Sequence, residues 1–324
     1  MNNVSINGDE RYINYKFNPF IIPVYAAAFP LIYLIPTVFI ILKIIRVYIG
    51  VIIGKQKDTI MNPNVFTVIV FQLSSNFLYM LSDYSTIRLP STGIMTSWCA
   101  SQQPNHGLKI LFFSSVYFNY TTMLFPTLLS ALRLIPVYKP MKLEQLCSRL
   151  VRICIPLILI YPFFFTFPIF PALGDCRQLL GAYPFGSIYV YWSHSWFDLK
   201  LSGFLLCNLV FWLIVCTIMN IVLYRKLESL RNKNKSCKIR KAEISLTLTT
   251  ISMLSAYITN LALVIVAIYW PFLAVYLVAI RPYGSDCDFV LVPWMFYLTH
   301  PIFKEKEIVP TQMRRIPTDN SDVP

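Results

Sequence analysis

The 324-residue chain is 56% hydrophobic and 15% aromatic, and charged residues occupy only 13% of its positions, about half the share of a soluble protein. An ordinary water-soluble domain is excluded, because one aqueous core could not hide so much apolar surface; lipid is the natural solvent for much of the chain. The net charge of +13 calls for no nucleic-acid partner, since the bases gather in alternate loops and that asymmetry accounts for it.

Residues 1–19 are polar and include Asp9 and Glu10, so no cleavable signal is expected and the first helix serves as its own anchor. Asn3 opens the sequon Asn3-Val4-Ser5 and is the glycosylation candidate. Long uncharged runs then predict spans at about 20–44, 63–87, 109–133, 153–173 and 201–224. Each is long enough to cross a hydrocarbon layer of roughly 30 Å. A further uncharged run, Gln178–Phe197, contains Gly181, Pro184, Gly186 and His194, and its "SIYVYW" alternates in the manner of a strand. It predicts a hairpin-like loop rather than a crossing.

The sixth run, Ile244–Ile280, is too long for one span and too short for two with a loop. A tight turn at "YWPF" (Tyr269–Phe272) gives a sixth helix at about 243–267 and a seventh at about 272–299, with "RPYGSDCD" inside the last helix. The competing reading continues the sixth helix to about Ala279 with a kink at Pro271 and starts the seventh at Pro282. The first reading is favoured because "FLAVYLVAI" is too apolar for a loop in water. The expected architecture is an all-α bundle of seven membrane helices: an extracellular segment 1–19, a helical domain 20–303 and a cytoplasmic tail 304–324.

Basic residues set the orientation. Lys43, Arg46, Lys55 and Lys57, then Arg133, Lys139, Lys142, Arg149 and Arg152, then the eight bases between Arg225 and Lys241, and finally Lys304, Lys306, Arg314 and Arg315 fall on one side. Arg11, Lys16, Arg88, Lys109, Arg177 and Lys200 fall on the other. This predicts an outside N-terminus and an inside C-terminus. Of the eight cysteines, Cys99 and Cys176 are the pair in outer loops, where a disulfide is expected. Cys154, Cys207, Cys216 and Cys287 read as apolar filling, and Cys147 and Cys237 face a reducing cytosol.

Two predicted helices carry polar seams. Ser115, Asn119, Thr122, Pro126, Ser130 and Arg133 share one face of the third, and Gln72, Asn76, Tyr79 and Asp83 share one face of the second. Polar groups facing lipid are costly, so both seams turn inward. Each residue singly reads as interhelical glue; together with Arg281, Asp286 and Asp288 they read as a polar cavity. Arg281 and Asp288, seven residues apart, share a face, and Arg281 is expected to offset one of these aspartates or Asp83. The ligand-pocket candidates are therefore Ser115, Asn119, Thr122, Asp83, Arg281, Asp286 and Asp288. At the inner end, Arg133 together with Lys238, Arg240 and Lys241 forms the candidate surface for a cytoplasmic partner, although solvated basic loops explain most of that charge.

A channel or transporter is the main rival, since charges within a membrane also mark ion pathways. The sequence shows no inverted repeat and no filter-like segment. An enzyme is disfavoured, because His106, His194 and His300 fall in separate regions and predict no metal centre.

Several stretches resemble the nematode serpentine chemoreceptors of class U: "NYKFNPF", "RLPSTGIMTSWCA", "YFNYTTMLFPTLLSALRLIPVY", "PALGDCRQL", "KAEISLTLTTIS" and "RPYGSDCDFVLVPWMFYLTHPIF". They cover the chain in order from about Tyr12 to Phe303. The resemblance implies a receptor in the plasma membrane of sensory cells, binding a small chemical cue and signalling through a heterotrimeric G protein, with no cofactor. It also implies a ligand entry between the outer ends of the third, fifth, sixth and seventh helices, beneath the aromatic loop Tyr183–Trp196. The Cys99–Cys176 pair and the position of Arg133 carry over. Leu132, however, stands where the broader rhodopsin-like pattern has an acid before that arginine, and "THPIF" replaces an Asn-Pro-x-x-Tyr run.

Overall fold

The structure is a computed structural model, and it describes residues 5–53, 62–138, 143–193, 201–231 and 237–304. Asn3, His194, Lys200, the basic residues of 54–61, 139–142 and 232–236, and the tail beyond residue 304 lie outside the described residues. Among the described residues seven helices have 18 residues or more: α1 (Leu31–Ile53), α2 (Pro63–Asp83), α3 (His106–Tyr138), α4 (Leu143–Ile160), α5 (Leu201–Arg231), α6 (Cys237–Tyr269) and α7 (Pro271–Thr299). Five helical segments are long and apolar enough to cross a membrane: Ile22–Ile53, Pro63–Ser91, Glu144–Ile169, Gly203–Lys226 and Leu246–Val266. Helices α3 and α7, at 33 and 29 residues, are as long but are not among those five.

The apolar surface explains which solvent the bundle needs. On α5, Phe204, Phe211, Ile214, Ile218 and Ile221 are exposed at helical spacing. A protein in water does not leave so continuous an apolar face bare, whereas a lipid-facing helix does. The main buried cluster joins Leu34, Ile41 and Ile44 of α1, Phe66, Ile69 and Leu73 of α2, and Phe125, Leu129 and Leu132 of α3. It continues to Cys147 of α4, Met253 of α6 and Phe296 of α7.

Local chemistry sets the breaks. Asn62 caps α2 by accepting from the Asn64 amide at 2.9 Å, and Pro63 occupies the first turn, where its missing N–H costs nothing. Helix α6 ends at Tyr269, Trp270 leaves helical geometry with φ −134° and ψ 69°, and Pro271 begins α7, so the chain reverses within Tyr269–Phe272. Gly284 lets these two antiparallel helices approach closely. A Cβ at that position would lie 2.4 Å from Thr259 Cγ2. Helix α4 begins ten residues before the expected 153, because Glu144, Arg149 and Arg152 lie on helix that continues past the apolar run. Its far end breaks into short helices at Phe163–Thr166 and Phe167–Ile169, where Pro162 and Pro168 interrupt the backbone ladder.

Next comes a two-stranded antiparallel sheet, β1 (Leu173–Gln178) and β2 (Ile188–Ser193), with Cys176 opposite Val190. The alternation in "SIYVYW" is thus a strand. Its partner begins at Leu173, inside the stretch expected to finish the fourth span. Gly174 abuts the start of α3, where any side chain would meet the Lys109 amide nitrogen at 2.1 Å. Asn105 and Gly174 exchange two backbone hydrogen bonds of 3.0 Å there. The Cys99–Cys176 disulfide ties β1 to the short helix Thr96–Ser101. The N-terminal segment completes this cap: Ile6 donates to the Cys176 carbonyl at 3.1 Å, Ser5 donates to Asp175 at 2.8 Å, and Tyr12 packs on Phe185.

Candidate functional site

Beneath the hairpin lies a cavity of about 290 Å³. Strand β2 roofs it with Tyr189, Tyr191 and Trp192; α3 contributes Phe112, Ser115, Asn119 and Tyr120; α6 contributes Asn260, Leu263 and Val264. Leu205 of α5 and Arg281 of α7 close its sides. The roof is held by ring contacts: Tyr191 lies 4.0 Å from Trp192 between ring centroids, Phe112 packs on Trp192 at 4.9 Å, and the Arg177 guanidinium sits 4.6 Å over the Tyr191 ring. Burial pushes the Tyr189 phenol up to about 12, so at neutral pH it presents a neutral hydroxyl.

Below this space is a smaller cavity of about 20 Å³, lined by Asn76, Tyr79, Asp83, Arg88, Thr122, Tyr257 and Asp288 among others. Asn119 and Asn260 line both cavities. A space of that size holds one water-sized group.

The charges around it are arranged in pairs. Arg88 donates to both oxygens of Asp286 at 2.6 and 2.8 Å and to the Pro282 carbonyl at 3.0 Å. Tyr33 of α1 donates to the same carboxylate at 2.6 Å. Asp83 lies between the two arginines, 3.4 Å from Arg88 and 3.5 Å from Arg281. Arg281 also donates to the Tyr79 hydroxyl at 2.5 Å and to Asn260 at 3.3 Å. Asp288 accepts from Asn76 at 2.8 Å, and Asn76 in turn accepts from Gln72 at 3.2 Å. Four helices are tied together here, and Asp83, Arg88, Asp286 and Asp288 are all buried.

The polar seams of α2 and α3 do face inward: Gln72, Asn76, Tyr79, Asp83, Ser115, Asn119, Ser130 and Arg133 are buried, and Thr122 is half-buried. Arg281 pairs with Asp83; Asp286 has Arg88 as its partner and Asp288 has Asn76. Arg88, counted from sequence among the bases of the outer side just beyond the second span, is instead buried within the bundle. Helix α2 passes at Tyr84–Arg88 into a π turn, and that wider turn brings Arg88 over Asp83, five residues earlier. The sequence signal for it was the surplus of acids, since three aspartates and one arginine within a bundle require a further base. Tyr33 and Asn260, by contrast, carry no such signal in the sequence.

At the opposite end of α3, Arg133 is buried and donates to Thr247 at 2.5 Å and Thr250 at 3.2 Å, both on one face of α6. With Leu132 in the place of an acid, hydroxyls of another helix hold this guanidinium. Lys238, Arg240 and Lys241 fall in the first turns of α6. His300 caps the end of α7, and its Nδ1 accepts from the Ile302 amide at 3.3 Å.

These features agree with the comparisons to known proteins. The chain is 35% identical over 268 residues to Serpentine receptor class U-26 of Caenorhabditis elegans, an overlap of 81% of this chain and 90% of that protein. A receptor family of this kind implies a role other than catalysis. The family model described as serpentine type 7TM GPCR chemoreceptor Sru matches residues 6–306, and this chain, a multi-pass membrane protein with a disulfide-bonded cap, belongs to that family.

Proposed function

We propose that the protein is a seven-pass chemosensory receptor of the plasma membrane of sensory cells, with its N-terminus outside and its C-terminus inside, which binds a small chemical cue and signals to a heterotrimeric G protein. The observation that carries this reading is the 290 Å³ cavity: aromatic above, polar below, roofed by a disulfide-tethered hairpin and bounded by α3, α5, α6 and α7. Seven long helices and the basic character of the loops at the Arg133 end support the seven crossings and the orientation.

A cue filling the cavity touches α6 at Asn260 and Val264 and α7 at Arg281. Those helices are in contact along their length through Gly284 and Thr259, so a small change in their packing reaches the Arg133 contacts with Thr247 and Thr250. The cue need only favour one of two packings, by about 1–3 kcal/mol in common couplings. Loosening Arg133 from α6 then frees the basic start of α6, with Lys238, Arg240 and Lys241, for a G protein.

The test is a second-messenger assay in a reporter cell challenged with a panel of small cues, beside Arg133→Ala at matched surface level. A response that needs both a G protein and Arg133 supports the reading. A cue-gated current that persists under G-protein blockade overturns it.

A further inference from the structure

Among the described residues of the charged cluster, three carboxylates face two guanidiniums. Arg88 and Arg281 are both committed, to Asp286 and to Asp83. Asp288 is left with one neutral donor, Asn76, on Oδ2, while its Oδ1 is buried without a hydrogen-bonding partner among the described residues. The residue is only 6% exposed and it lines the 20 Å³ space. An uncompensated carboxylate oxygen at that depth is a costly feature unless a proton or a cation meets it, and the cavity above gives a cationic group a way in.

The space around Asp288 is the size of one ammonium group and shares Asn119 and Asn260 with the aromatic cavity above it. The upper cavity, at about 290 Å³, has room for a small apolar body. We infer that the cue is a small monoamine, its ammonium passing between Asn119 and Asn260 to Asp288 and its apolar body lying against Tyr189, Tyr191 and Trp192. Asp288 and Asn76 then select for charge, and the aromatic roof for shape. This rests on the receptor reading above only in that a cue occupies the bundle.

The experiment measures binding without signalling. The full chain in lipid nanodiscs is heated with 2-phenylethylamine, 2-cyclohexylethylamine or isoamylamine, and in parallel with 2-phenylethanol and phenylacetate, in potassium chloride and again in sodium chloride. At least one amine is expected to raise the unfolding midpoint by several degrees, with the alcohol and the carboxylate giving no shift. Asp288→Asn is expected to weaken that amine by roughly ten-fold or more, the effect of losing a charge-assisted hydrogen bond. The wild-type comparison of amine, alcohol and carboxylate stands even if that variant does not fold.

A shift with phenylacetate instead overturns the proposal and assigns recognition to the arginines. A shift with sodium alone and none with any amine also overturns it, because Asp288 then holds an inorganic ion. No shift with any amine overturns it as well. An amine shift in a protein silent toward every G protein keeps this inference and sinks the signalling reading.

Discussion

Asp286 accepts from Arg88 at 2.6 and 2.8 Å and from Tyr33 at 2.6 Å, in a place where water does not reach it. Removing Arg88 leaves two buried carboxylates short of charge, and breaking a buried pair in this one-sided way costs about 3–5 kcal/mol. Arg88→Ala is therefore expected to lower the unfolding midpoint in nanodiscs and most of the surface expression. Arg88→Met combined with Asp286→Leu, which removes both charges and keeps the volume, is expected to recover most of the midpoint; a double variant as unstable as Arg88→Ala counts against the pairing. Residue identity made the inward seams of α2 and α3 legible, because helical spacing fixes which side chains share a face. It did not reveal the depth of Arg88, which depends on one extra residue in a single turn. Nor did it choose among Asp83, Asp286 and Asp288 as the partner of Arg281, since that choice is made by how α2 and α7 are rotated against each other.

At the scale of elements, the α6–α7 hairpin depends on the absence of a side chain at Gly284. A methyl group there would press on Thr259 Cγ2 at 2.4 Å and Cβ at 2.6 Å. Gly284→Ala is expected to destabilise the chain by about 1–3 kcal/mol, the usual cost of overpacking. Adding Thr259→Gly should restore most of the melting midpoint, and failure of that rescue would place the strain elsewhere. The cap is held differently, by a disulfide that joins residues 77 apart. Closing a loop of that length restricts the unfolded chain by roughly 4 kcal/mol. Cys99→Ser is expected to lower thermal stability by a comparable amount and to loosen the roof, read as faster amide exchange in residues 173–193 than in α1. The break at Trp270 and the strand at Ile188–Ser193 were visible in advance, since proline punctuation and period-two alternation are local signals. Helix ends were not: α3, α4, α5 and α6 run on beyond the apolar segments, and hydropathy reports where a helix meets lipid rather than where it stops.

Across the whole molecule, α3 joins the two ends on which the receptor reading depends. Near the hairpin it supplies Phe112, Ser115 and Asn119 to the cavity. Farther along, Ser130 accepts from Asn220 of α5 at 3.0 Å, and Arg133 donates to Thr247 and Thr250 of α6. The Arg133 guanidinium ties α3 to hydroxyls of α6, and in the proposed receptor it would take the part that an adjacent acid plays in a latch confined to α3. Hydrogen bonds from a charged donor are worth about 1.5–3 kcal/mol each, so losing both acceptors should shift the balance of packings by about a hundred-fold or more. Thr247→Val with Thr250→Val keeps the size and branching of both side chains while removing their hydroxyls. That double variant is expected to raise second-messenger output without any cue, at a surface level equal to wild type, whereas Thr247→Ser with Thr250→Ser keeps the output low. Basal output unchanged by the valines would mean that Arg133 is held by its other contacts and that α6 is restrained from another point along its length.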